Sequence, residues 1–215
     1  MGKIILASQS PRRQEIMALG GYAFEVRVSS AEEQISEDEL QSLSPEQLVE
    51  RLARIKAEDV WMHEATQKNQ TIIGADTVVA IDGQVLGKPK DKEDAVNMLT
   101  QLSGRSHDVF TGVCILWVED AEAKEIQGTT FHCQTKVTFY PMTEAEIQEY
   151  VASGDCMDKA GAYGIQSGAA KYIRGIEGDY LNVVGLPLSK IYHVLGQKIS
   201  DFTIKIEDSY LSFQS

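Results

Sequence analysis

Residues that build metal clusters and disulfide frameworks are scarce in this chain. Its 215 residues include three cysteines, Cys114, Cys133 and Cys156, far apart and without a CxxC pair. Neither a disulfide scaffold nor a zinc site is indicated, and a reducing, cytoplasmic setting is the default. The four histidines, His63, His107, His132 and His193, are scattered with no HExxH, which excludes the helical zinc-hydrolase motif. No run approaches the ~18 apolar residues of a membrane span. The stretch IILA after the basic start is too short for a secretory signal and reads better as a first strand. Basic residues are also in deficit: 20 stand against 32 acidic ones, a formal charge of −12. A field of that sign repels nucleic-acid backbones and anionic lipid surfaces. No repeat, low-complexity tract or Pro/Gly/Ser linker divides the sequence.

What remains is an ordinary globular composition, 43% hydrophobic and 24% charged, in which helix and strand signals alternate. KIILAS reads as a strand that passes through the turn SQSPRR into a helix over RRQEIMALG, with Ile16 and Leu19 on its apolar face. Ser44-Pro45-Glu46-Gln47 forms a capping box and predicts a helix through about Thr66. TIIGADTVVAI is rich in β-branched residues and reads as a strand, turned by Asp82-Gly83 into QVLGKP. Further helices are expected from about Asp91 to Leu102, after the Thr143 cap, and from about Pro187 to Leu195, with two or three strands between Val109 and Tyr140. The class is α/β: a mixed, twisted β-sheet flanked by helices, organised as a single domain or two closely packed lobes.

Asp76 is the most informative residue, because it interrupts an apolar strand. A carboxylate buried there costs several kcal/mol unless a cation or a metal meets it. Regular alternation sends Asp76 and Thr77 to opposite faces, so if both line one site the strand should end or bulge near Gly74. Lys56 falls on the core-facing stripe of its helix with Leu48, Leu52, Ile55 and Val60, so it must snorkel, find a buried partner or point into a site. Ser10-Pro11-Arg12-Arg13 sits between a strand and a helix start, where free N–H groups and two guanidiniums suit a phosphate; a solvated surface turn is the bland alternative. Lys88-Pro89 after a strand adds a third cation or a plain hairpin end. Glu32-Glu33 is a solvated loop or the second carboxylate of an oxygen-only Mg²⁺ site.

The ordered series LASQSPRRQEI, SAEEQ, ARIKA, GADTVV, GKP and DKAGAYGIQ resembles the Maf family of nucleoside-triphosphate pyrophosphatases over about residues 1–198. GADT with Arg12 and Gln166 is similar to the branch acting on dTTP and UTP rather than on 7-methyl-GTP. The resemblance implies a Maf/ITPase-like fold and hydrolysis between the α- and β-phosphates to the monophosphate and pyrophosphate, a cleansing of the nucleotide pool. It implies that Ser10 and Arg13 hold phosphate, Glu33 and Asp76 serve a divalent cation (Mg²⁺ or Mn²⁺) and the attacking water, and Lys56 and Lys88 neutralise the triphosphate. Asp76 is the implied proton acceptor, and Arg12, Thr77 and Gln166 the implied determinants of base specificity. Ser167 is a departure, since glycine commonly follows GIQ in the family. The resemblance is compatible with a homodimer, the commonest oligomer, though no exposed stripe demands one. Residues 199–215 lie outside it as a tail with no functional reading. Two rivals remain at this stage: a non-catalytic nucleotide-binding regulator of cell division or growth, and a phosphatase removing the terminal phosphate.

Overall fold

The computed structural model describes residues 2–31, 42–63, 69–119, 125–197 and 202–205. Eight strands among them form one mixed sheet: β1 (Lys3–Leu6), β2 (Phe24–Val26), β3 (Gln70–Ile81), β4 (Gln84–Leu86), β5 (Ser106–Val118), β6 (Glu125–Phe139), β7 (Ile173–Glu177) and β8 (Phe202–Lys205). The main order is β2-β1-β3-β5-β6-β7, with β4 on β3 and β8 on β6. β1 runs parallel to both β2 and β3, and the remaining pairs are antiparallel. The helices are α1 (Pro11–Leu19), α2 (Pro45–His63), α3 (Lys92–Leu102), α4 (Glu144–Ala152), α5 (Tyr180–Val184) and α6 (Leu188–Gln197). None is long and apolar enough to cross a membrane among the described residues.

Local chemistry accounts for most of the boundaries. The capping box before α2 is formed in both directions, with Ser44 N donating to Gln47 Oε1 at 3.1 Å and Gln47 N to Ser44 Oγ at 3.4 Å. α4 opens on the same device between Thr143 and Glu146. Asp82 (φ 52°) and Gly83 (φ 78°) adopt the double left-handed turn that joins β3 to β4. One expectation for the helices needs correction. On α1 the core side is Ile16 and Met17, whereas Leu19 is exposed, because at roughly 100° per residue it lies well round the helix from that side. Between Val109 and Tyr140 the described chain holds two long strands, within the expected two or three. The tail contributes backbone to the sheet, since β8 pairs with residues 125–128 of β6.

The sheet is covered on both sides. On one side α2 lays Ala53, Ala57 and Val60 against Ile72, Cys114 and Leu116; on the other, α1, α5 and α6 enclose Ile73, Ala75, Val113, Leu186 and Ile191. β3 therefore reads as a nearly continuous buried run, and the two positions along it that keep partial exposure are Asp76 and Thr77. Glycine sets the distance to α2. A Cβ on Gly74 would lie 2.2 Å from the Ala53 carbonyl oxygen, and one on Gly112 would lie 2.2 Å from that of Val49. The helix backbone thus rests directly on the strands. Gly74 marks this close approach and not a bulge: β3 pairs with β5 in unbroken register from Gln70 to Ala80, so the expected break near Gly74 does not occur.

His107, on β5, is buried between the rings of Phe139 and Tyr163, with its Nε2 2.8 Å from the Tyr163 hydroxyl. Burial pushes its pKa from 6.5 down to about 4. The unfolded chain therefore takes up a proton below about pH 6.5 that the folded chain refuses until about pH 4. Stability is full above that window and is lost as pH falls through it, by up to about 3 kcal/mol from this residue. Urea midpoints measured from pH 7 to pH 4 should fall more steeply for the wild type than for His107→Gln; parallel curves would remove His107 from the account.

Candidate active site

The edge of β3 opposite β5 is interrupted. β1 pairs with Gln70–Ile73 and β4 with Val79–Ile81. On that edge, among the described residues, no strand pairs with positions 74–78 between them. β1 ends beside this opening and its chain turns there into α1, carrying Ser8 and Arg13 to Thr77 at the rim. Openings beyond the carboxyl end of a parallel strand, next to a helix start, are favourable places for anionic ligands. Asp76 and Thr77 face the opening from the two sides of the sheet. Alternation is kept, and the missing neighbour strand brings both residues to one rim.

On the α2 side, Lys56 Nζ lies 2.7 Å from Asp76 Oδ1, with side-chain exposures of 7% and 17%. The cation that the strand-embedded carboxylate requires is therefore the lysine of the helix stripe. Gly74 and Gly112, the latter directly opposite Asp76 in the β3–β5 register, let α2 approach closely enough for this pair to form. On the other side, Arg13 is held at three points. Its Nε donates to Gly185 O at 2.9 Å, Nη1 to Ser8 Oγ at 3.2 Å and Nη2 to Thr77 Oγ1 at 3.1 Å. Ser10 caps α1 with its backbone but makes no capping bond with its side chain.

Arg12 crosses to the loop that follows α4, where its Nη1 donates to Asp158 Oδ2 at 2.9 Å. Lys159 joins Asp158 at 2.7 Å and Asp155 at 3.2 Å, and Asp155 Oδ2 accepts from both Tyr150 and Ser167 hydroxyls. Burial opposes the charge on Asp158, but hydrogen bonds from Lys159 and Arg12 outweigh it and hold the carboxyl down to about 2. Ser167, the departure noted above, is thus fastened into the network that carries the Gln166 turn. Gln166 itself is exposed, as is Lys88. The Gly87 carbonyl accepts from Gly161 N at 3.0 Å and ties the Lys88 segment to the same loop. Glu33, with Glu32, lies outside the described residues.

The geometry thus brings Lys56 to Asp76, and Arg13 to Thr77, around one strand opening, and bridges Arg12 to the loop of Gln166. Sequence reasoning missed Ser8, Thr111, Asp158 and the Gly185 carbonyl as members of this framework. A glycine closing the short run YLNVV was the one trace of the turn at Gly185 in the sequence, and it adopts a positive φ (127°). A broad surface hollow of about 620 Å³, between Gly178–Asp179 and Ser189–Gln197, is lined by none of these residues; the convergence of polar groups marks the site. Its donor chemistry suits a hard divalent cation. Among the described residues Asp76 brings one carboxylate, of which Oδ1 faces Lys56, and no group of three carboxylate, histidine or cysteine ligands occurs. One described carboxylate fits a cation held jointly with phosphate oxygens, as Mg²⁺ commonly is.

The family model described as Maf-like protein matches residues 3–198. A dTTP/UTP pyrophosphatase of Bacillus pumilus is 46% identical over 91% of this chain and 96% of its own length. One from Geobacillus is 47% identical over 88% and 95%. Among solved structures, a HAM1 protein from Coxiella burnetii aligns over 92% of this chain and all of its own, at 15% identity and a TM-score of 0.43.

Proposed function

The chain belongs to the Maf-like protein family, and from that premise we propose that it is a nucleoside triphosphate pyrophosphatase that hydrolyses dTTP and UTP to the monophosphate and pyrophosphate. The observation that carries the reading is the partly exposed Asp76 carboxylate, paired with Lys56 one residue away from the Arg13–Thr77 anchor. A protein that only held a triphosphate would gain nothing from a carboxylate there, since it repels the ligand. A hydrolase needs one to take a proton from water.

In this reading Arg13 and the Ser10 hydroxyl grip phosphate oxygens at the strand opening, while Lys56 and Lys88 offset the remaining charge. Asp76 orients the attacking water and accepts its proton as the oxygen closes on the α-phosphorus. The same cations stabilise the charge that builds on the departing pyrophosphate. A divalent cation would be held by Asp76, with Glu33 as the second carboxylate, and when bound would neutralise phosphate charge and make water easier to deprotonate. Arg12, Thr77 and Gln166 set the base preference. Gln166 can both donate to and accept from a pyrimidine edge. The reading carries a cytoplasmic setting with it.

The test is a panel of natural triphosphates with Mg²⁺ or Mn²⁺, the products separated by chromatography. Monophosphate plus pyrophosphate, with dTTP and UTP preferred, is the expected result; diphosphate plus orthophosphate would reject it. Arg12→Ala and Gln166→Ala should keep turnover within about tenfold of wild type while the preference for dTTP and UTP over purine triphosphates collapses, a loss on the order of the 1–3 kcal/mol of a discriminating contact. If both variants keep the wild-type preference, base selection lies elsewhere.

A further inference from the structure

A chain of hydroxyl groups runs from the rim into the core behind Arg13. Thr77 and Thr111 are directly opposed in the β3–β5 register, and their Oγ1 atoms lie 2.9 Å apart. Thr111, with no exposure, donates its single hydroxyl proton to the backbone carbonyl of Asn182 at 2.9 Å. A carbonyl can only accept, so the direction of the whole chain is fixed. Thr77 must donate to Thr111, and the Thr77 oxygen presents its lone pairs to Arg13 Nη2 at 3.1 Å. Asn182, also without exposure, is itself anchored, its Nδ2 donating to Val109 O at 3.1 Å and to Thr135 Oγ1 at 3.0 Å. Three residues on, the turn that leaves α5 supplies the Gly185 carbonyl to Arg13 Nε. One short segment thus fixes the guanidinium twice, directly through Gly185 and through the two threonines.

We infer that Thr111 and Asn182, which line no part of the opening, are positioning residues for Arg13: their buried relay orders the Thr77 hydroxyl so that it accepts from the guanidinium, holding the phosphate-gripping group in place before substrate arrives. Such preorganisation lowers the reorganisation needed at binding. It also gives Thr77 a second duty beside the base preference proposed above. The inference rests on the reading of Arg13 as a phosphate contact.

The decisive substitution is Thr111→Val, which keeps the β-branched shape and removes the proton. The Asn182 carbonyl still accepts from Gly185 N at 3.0 Å, so the variant leaves that group satisfied. Affinity for inorganic pyrophosphate is measured by calorimetry on the full chain with Mg²⁺, beside KM and kcat for dTTP and UTP. Expected are about tenfold weaker pyrophosphate binding and a KM raised by about the same factor, the signature of a lost binding contact. The dTTP to UTP ratio should stay unchanged and Thr111→Ser should restore the wild-type values. Thr77→Val should reproduce the loss if Thr111→Val folds poorly. Thr111→Val with wild-type pyrophosphate affinity and KM overturns the relay. So does a shifted dTTP to UTP ratio at unchanged pyrophosphate affinity. Arg13→Ala separates the layers. If it weakens pyrophosphate binding while both valine variants do not, the relay alone is wrong; if it binds pyrophosphate like wild type, the phosphate role of Arg13 and the relay fall together.

Discussion

Asp76→Asn is expected to lower kcat for dTTP and UTP by about two to four orders of magnitude, the usual contribution of a positioned proton acceptor, with the fold retained. The amide has the outline of the carboxylate and can still accept from Lys56 through Oδ1, so the contact at 2.7 Å survives as a neutral acceptor. What disappears is the ability to take a proton from water and the negative charge that faces a cation. Triphosphate affinity should fall far less than kcat, because removing a carboxylate from beside phosphate also relieves repulsion. Rates followed by pyrophosphate release, together with direct binding of dTTP, separate the two effects. An Asp76→Asn enzyme that keeps more than a tenth of wild-type kcat would remove residue 76 from the chemistry, and the regulator reading, in which binding is the whole function, would return.

Asp76 and Lys56 were legible in the sequence for one physical reason: each is a charge where the local periodicity calls for an apolar side chain. The cost of burying either alone implies a partner, and each proves to be the other's partner. The SPRR turn was legible as strand, loop and helix start. Its detailed bonding was not, because Arg12 meets a residue 146 positions away and Arg13 one 172 positions away, separations on which a local pattern has no bearing. The Thr77–Thr111 contact depends on the β3–β5 register, which the whole sheet fixes and neither strand encodes by itself. The same holds for the opening at 74–78. Alternation along β3 correctly put Asp76 and Thr77 on opposite faces, but local reasoning resolved the conflict within the strand. The structure resolves it in the neighbours, by stopping β1 at Leu6 and ending β4 at Leu86, opposite Val79. β2, β7 and α5 escaped notice because they are three to five residues long, too short to establish a period.

Gly112→Ala is expected to be among the most destabilising single-methyl changes available, costing about 3 kcal/mol or more at the upper end of overpacking effects. The added Cβ would stand 2.2 Å from the carbonyl oxygen and 2.3 Å from the carbonyl carbon of Val49, and 2.7 Å from Glu50 N. These are backbone atoms of α2 with no rotamer to escape into, so relief requires the helix to lift. α2 also carries Lys56, and Gly112 is the residue paired with Asp76 in the register. Lifting the helix therefore stretches the ion pair, and activity should fall with stability instead of surviving it. For a chain of this length the cost corresponds to a fall of roughly 6–12 °C in Tm. Gly74→Ala, whose Cβ would meet Ala53 O at 2.2 Å, should behave alike, whereas Gly175→Ala, with nothing within 4 Å and no positive φ, should stay within about 0.5 kcal/mol of wild type. A Gly112→Ala protein melting within 2 °C of wild type by about the same transition would mean that α2 is not seated by these glycines, and the closeness of Lys56 to Asp76 would need another cause.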